Sequence, residues 1–318
     1  MTIHPEDNPS QSPATFVLQD QYGKAENRLV KVDRDSSRHV IHDLNVTTTL
    51  RGDFAAAYTE GDQSKVLPTD TQKNTVFAFA KSHGVDQIED FGLALARHFV
   101  DDVAPVSGAR VAIEEFGWDR IEVDGVGHDH SFVRTGEGVR TTAVTVEGRG
   151  DDQRGWVVSG VQDLVVLKST GSEFAGFLTD EFTTLAETHD RVMATSLVVR
   201  WRYDTLAAGS VVPGNWQAAY DDIRATLLER YATVHSLALQ QTLYEMGTAV
   251  LERQPQVVEV RLSAPNLHHF AYDLERFGLT NDGEVFHADD RPYGLIQAAV
   301  SRADAPDAGP AWEARWSS

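Results

Sequence analysis

Cysteine is absent from this sequence. Disulfides, thiolate metal centres, cysteine nucleophiles and iron–sulfur clusters are excluded with it, which removes several classes of redox enzyme. Long apolar runs are absent as well: no stretch approaches the roughly 20 residues that cross a bilayer. The opening MTIHPEDNPSQSPA has neither the basic nor the apolar segment of a secretory leader, so the expected location is the cytoplasm. Positive charge is scarce, with 28 Lys and Arg against 48 Asp and Glu and a formal net charge of −20. Such a chain repels nucleic acid and anionic membrane on average, and neither is expected as a partner. An anionic small molecule would have to be met by a few cations in a locally favourable pocket, so single Arg and Lys residues away from charge runs carry extra interest. Glycines in GVGHDH and GEGVRTT do not form the G-x-G-x-x-G turn between strand and helix that a dinucleotide needs.

What is present is a composition suited to a sizeable core, 318 residues with 41% hydrophobic and 24% charged. Residues 1–14 are polar and without periodicity and read as a disordered arm; 303–318 read as a flexible tail. Between them one order of patterns occurs twice. In 15–150, strand-like alternation at 28–34 and 39–52 precedes helical stretches at 69–84 and 87–102, followed by strands near 109–118, 130–134 and 139–148. In 151–302, strands at 156–169 and 192–204 precede helices at 216–234 and 237–254, with further strands from 256 and 293. Thr69 and Asp70 are candidate helix N-caps and Gly84 a candidate terminator. Two β-β-α-α-β-β units imply a duplication and an α+β fold, antiparallel sheets with the helices on one face. Open sheet edges favour closure with further copies of the chain, so an oligomeric barrel is expected.

Taken singly, the polar side chains have ordinary readings. Arg191 in ETHDRV would be a surface or ion-paired arginine, Gln240 a helical glutamine, Phe174 a core aromatic, Lys24 a solvated lysine in a polar loop. His268 and His269 follow a strand-like run, and neighbouring side chains of a strand face opposite sides, so one pocket should take only one of them. Ligation of zinc or copper by this pair, or by HDH at 128–130, is the rival reading, but neither has an obvious third ligand and no metal site is assigned.

Five motifs change the balance together: YGK (22–24), TDTQKNT (69–75), LKSTGSEFAGFLTDEFTTLAETHDR (167–191), LQQTLYEM (239–246) and PNLHHF (265–270). In order and spacing, from about 15 to 302, they resemble urate oxidase (uricase) of the bacterial type. The resemblance implies two tandem T-fold (tunnelling fold) domains, a homotetramer around a tunnel with active sites at subunit interfaces, and no cofactor. It implies roles as well. Arg191 and Gln240 would grip opposite edges of urate, the planar guanidinium fork matching a planar anion as a lysine could not. Phe174 would stack on the ring, and Leu239 would contact the substrate through its main chain. Lys24, Thr69 and His268 would form the proton relay, with Thr69, Asp70 and Asn266 also at the substrate, Asn266 and Thr69 holding dioxygen or water above it. An ammonium acts as a base only where its surroundings favour loss of the proton, while a hydroxyl both donates and accepts and can pass a proton on. Urate and dioxygen would give 5-hydroxyisourate and hydrogen peroxide, the substrate itself supplying the electrons. Another T-fold enzyme of purine or pterin chemistry, or a non-catalytic T-fold binding protein, is the alternative. The C-terminal Trp-Ser-Ser lacks a peroxisomal Ser-Lys-Leu address, in keeping with the cytoplasmic expectation.

Overall fold

The computed structural model describes residues 15–207 and 214–313. The expected disordered arm, 1–14, lies outside them. The first half runs β1 (Tyr22–Asp33), β2 (Val40–Gly52), the short α1 (Ala55–Thr59), α2 (Thr69–Ser82), α3 (Ile88–Asp102), β3 (Val106–Val123) and β4 (Val126–Glu147). The second runs β5 (Arg154–Lys168), β6 (Met193–Tyr203), β7 (Leu206–Ala207), α4 (Trp216–Thr233), α5 (Leu239–Arg253), β8 (Val257–Ala271), β9 (Phe286–Asp289) and β10 (Leu295–Ser301). The main path across the sheet is β1-β2-β3-β4-β5-β6-β8-β10, with β7 beside β5 and β9 beside β8, all antiparallel. Each half is therefore a β-β-α-α-β-β unit, and the β4–β5 pairing joins the two into one sheet.

Alternation along the strands decides which face carries the core. Leu44, Val46 and Leu50 of β2, Val144 and Val146 of β4, and Leu197, Val199 and Trp201 of β6 are buried toward the helices. Phe91, Leu95 and Phe99 of α3 recur at i, i+4 and meet them; side chains of this size contribute about 2 kcal/mol each on burial. The helices approach closely at two corresponding glycines. A Cβ on Gly92 of α3 would lie 2.9 Å from Val144 Cγ2, and one on Gly247 of α5 would lie 2.7 Å from Val300 Cγ2. In each unit, then, the later of the two long helices sits tightly on the last strand of its own unit. The opposite face is polar, with Asn45, Arg110, Glu114, Gln162 and Arg200 in hydrogen-bonded contact across neighbouring strands.

A buried ion pair ties the two units together. Arg140 Nη2 donates to Glu89 Oε2 at 2.8 Å, and Ser159 Oγ donates to Glu89 Oε1 at 2.7 Å, so α3, β4 and β5 converge on one carboxylate. Gln217 of α4 accepts from the same guanidinium.

Three local expectations change. Strand β1 begins at Tyr22, so Lys24 lies on a strand and not in a loop; the polar stretch is held by pairing with Leu50, Thr49 and Thr48 of β2. Pro68 is the N-cap of α2 and no side chain caps it, which leaves Thr69 and Asp70 in the first turn. Asp70 instead pairs with Lys73 and accepts from Asn74. Gly84 does follow the helix with φ +81°, the left-handed conformation that ends helices. The tail expected to be flexible from 303 is laid against the polar face as far as Glu313. Arg202 donates to the Pro306 carbonyl at 2.9 Å, Trp312 Nε1 to Glu259 at 3.0 Å, and Arg261 stacks 4.0 Å from the Trp312 ring. One half-buried aromatic anchor outweighs a composition that otherwise suggests disorder.

Candidate active site

A cavity of about 470 Å³ opens where the second unit brings its returning segments together. Phe174, Arg191, Leu239, Gln240, Asn266 and His268 all line it. Phe174 and Arg191 come from the long β5–β6 connection, Leu239 and Gln240 from the first turn of α5, Asn266 and His268 from the end of β8. The connection is neither helix nor strand, but backbone bonds fix it: Phe174 and Thr188 exchange N–H···O bonds of 2.8 and 3.0 Å, and Arg191 N donates to the Ser172 carbonyl at 2.9 Å.

Arg191 is the cation of this pocket. Its Nε is buried with no acceptor, and among the described residues no carboxylate comes within ion-pair distance. The neighbouring Asp190 is taken by Thr170 Oγ1 at 2.9 Å and by Gly171 N at 3.2 Å. Burial pulls the Arg191 guanidinium below its ordinary value, the direction expected for a cation that lacks a counter-charge. Its guanidinium carbon stands 5.5 Å from the Phe174 ring centre, so fork and aromatic face border one space. The first turn of α5 has no side-chain cap and places Leu239 and Gln240 at the same cavity. A planar anion is the ligand these features suit.

Asn266 Nδ2 and His268 Nδ1 lie 3.4 Å apart, as i and i+2 on one side of β8. His269 also reaches the cavity wall, but its Nδ1 is occupied by the Leu267 carbonyl at 2.9 Å. Val192, Phe270, Phe286 and Ile296 complete an apolar wall that no local sequence signal marks.

Lys24, Thr69 and Asp70 do not line this cavity. They form a second group in the first unit, on β1 and the start of α2. Asp70 is held below the usual carboxylate value chiefly by the Lys73 hydrogen bond, with Lys24 contributing through its charge. The two halves of the expected site are therefore separate in one chain. His128 and His130 stack edge to face at the tip of the β3–β4 hairpin. Among the described residues one group has metal-ligand spacing, Asp33, His42 and Asp86, and it includes neither histidine motif. A larger hollow of about 720 Å³, lined by Asp204, Asn215, Gln254 and Gln256 among others, has no cation among its described lining residues.

Tandem T-fold units and, among the described residues, a pocket that sets an unpaired guanidinium beside an aromatic ring define the class as a T-fold protein with a site suited to a planar anion. The uricase family model matches residues 20–145 and 157–297, one match per unit. The chain belongs to the uricase family, and its reaction is the oxidation of urate. It is 50% identical over 294 residues to the uricase of Arthrobacter globiformis, covering 92% of both chains, and 37% identical over 299 residues to that of Cyberlindnera jadinii, covering 91% and 98%. The crystal structure of the Arthrobacter globiformis uricase superposes with a TM-score of 0.87 at 49% identity, over 94% of this chain and 99% of that one. Uricase from Bacillus fastidious shares the fold at 24% identity, TM-score 0.75. Among the described residues no helix is long and apolar enough to cross a membrane.

Proposed function

We propose that urate is held in the cavity by Arg191 and Gln240 at opposite edges of the purine, with Phe174 against its face and the Leu239 main chain at the helix N-terminus. The observation that carries this reading is the buried Arg191 Nε without an acceptor, in a pocket whose lining carboxylate, Asp190, bonds Thr170 and Gly171 and leaves the guanidinium without a paired counter-charge. Urate brings that charge. A bidentate fork then gains charge-assisted hydrogen bonds without first breaking an ion pair.

Lys24, Thr69 and His268 act as the proton relay. Removal of a second proton makes urate a dianion, which gives up electrons to dioxygen; water adds at C5, and two protons complete hydrogen peroxide. Urate, dioxygen and water thus become 5-hydroxyisourate and hydrogen peroxide, with no cofactor in the balance. Asn266 and Thr69 hold dioxygen or water above the ring, and Asp70 adds to the substrate contacts from the first turn of α2. The protein supplies orientation, proton transfer and an electrostatic setting for the dianion.

Because Lys24, Thr69 and Asp70 stand apart from the clamp within one chain, they complete the site from a neighbouring subunit. The assembly is a homotetramer whose polar sheet faces line a tunnel, and it works in the cytoplasm. Mixing an inactive Lys24→Ala chain with an inactive Arg191→Ala chain should restore activity at interfaces carrying both intact halves. Mixed oligomers that form yet stay inactive, or an active monomer, would refute the shared site.

A further inference from the structure

We propose that Glu173, His189 and His235 form a side-chain clamp behind the cavity that sets the relative position of Phe174, Arg191 and Gln240, making Glu173 a positioning residue for urate. The proposal rests on the reading of those three as the substrate clamp. Glu173 Oε1 lies 2.5 Å from His235 Nε2, and Glu173 Oε2 lies 3.2 Å from His189 Nδ1. Each carboxylate oxygen is thus taken by a different imidazole. Each partner belongs to a segment that carries a substrate contact. Glu173 precedes Phe174, His189 is two residues before Arg191, and His235 lies in the α4–α5 connection five residues before Gln240. None of the three lines the cavity.

These segments need such a tie because their backbone links are few. Glu173 N donates to the Ser236 carbonyl at 2.7 Å and Ser236 N to the Gly171 carbonyl at 3.0 Å, but Ser172–Ser236 and Phe174–Thr188 are isolated bridges outside any named strand. The Glu173 carboxyl is held below its usual range by the hydrogen bond from His235 and then by that from His189, in keeping with an ionised acceptor between two donors.

The surrounding charges are otherwise engaged. Asp190 accepts from Thr170 and Gly171, Glu187 accepts from Gly176 N, and the Lys168 ammonium donates to the Val234 carbonyl at 2.6 Å. Arg191 faces the cavity. The donors that hold the Glu173 carboxylate are therefore its own two imidazoles, one on each oxygen.

Glu173→Gln tests this arrangement. An amide offers one oxygen and one NH₂, so it cannot accept from an imidazole on each side as the carboxylate does. The variant should raise KM for urate about 3- to 10-fold, with kcat within about twofold of wild type. His189→Phe, which removes one arm and keeps the carboxylate, should give a smaller rise in KM. His235→Gln, whose amide can still donate to the carboxylate, should keep most of the affinity. A fall in kcat alone, or wild-type KM in both Glu173→Gln and His189→Phe, would overturn the clamp. Failure of the underlying site reading is separately visible, because Arg191→Lys would then bind urate normally.

Discussion

Replacing Arg191 with lysine isolates the feature on which the substrate site rests. The charge survives while the geometry is lost. A lysine has no equivalent of Nε, whose N–H is buried here without an acceptor, and an ammonium cannot present two parallel N–H groups to one planar edge. Losing a hydrogen bond to a charged group in a desolvated site costs about 2 to 3 kcal/mol, which corresponds to about 30- to 150-fold in affinity. Folding should be untouched, since no carboxylate of the described residues pairs with Arg191 and the segment is held through its backbone. The assay has three parts: calorimetric binding of a non-reacting urate analogue, kcat/KM from the loss of urate's ultraviolet absorbance, and the melting temperature. Weaker binding at an unchanged melting temperature is the expected result. Affinity within about threefold of wild type, a difference below 1 kcal/mol, would refute the role given to the guanidinium fork.

Glu89→Ala should destabilise the fold by about 3 kcal/mol in a denaturant titration, because the buried Arg140 loses its 2.8 Å partner and keeps only the longer contact to Glu115 at 3.5 Å; a loss under about 1 kcal/mol would mean that the join between the units does not depend on this pair. For Glu259, burial pushes the carboxyl up, but hydrogen bonds and charge from Arg261, with Trp312 and Arg202, outweigh it and hold the group below its ordinary 4.5. A lowered value in the folded state adds stability above that pH and loses it as pH falls through the folded value, so the melting temperature of Glu259→Gln should fall less steeply below about pH 4.5 than that of the wild type; parallel curves would contradict this. Exhaustive chelation should leave urate oxidation intact and the purified protein should show no visible chromophore; activity that vanishes with chelator and returns with copper or zinc would move the chemistry to a histidine cluster.

Much of the fold was legible because its signals are local. Period-two alternation at 39–52 and 192–204, helical spacing at 87–102, and Gly84 after α2 all act within a few residues, and they returned as β2, β6, α3 and a left-handed helix end. The order of these patterns also announced the duplication. Where the signal was weak, pairing decided. YGKAEN looks like a loop, yet β2 offers it a hydrogen-bonding edge, and it becomes the start of β1 with Lys24 on it. A proline at 68 displaced Thr69 from the cap position to the first turn.

By itself, the sequence determined the element order and the repeat, since these depend on residue type and near neighbours, and its motifs named candidate side chains through their resemblance to uricase. Only the tertiary structure decided which of them meet. Arg191 could have been an ordinary ion-paired arginine; it is free because Asp190 is consumed by Thr170 and Gly171 while the chain turns the guanidinium toward Phe174. Trp312 fixes a segment that composition alone would leave loose, through Glu259 and Arg261 more than 50 residues away along the chain. His189 and His235 reach Glu173 because two irregular connections cross at that point. The physical reason is common to all three. A side chain's partner is set by which distant segments the packed sheet and helices bring within hydrogen-bond range, and no local pattern carries that information.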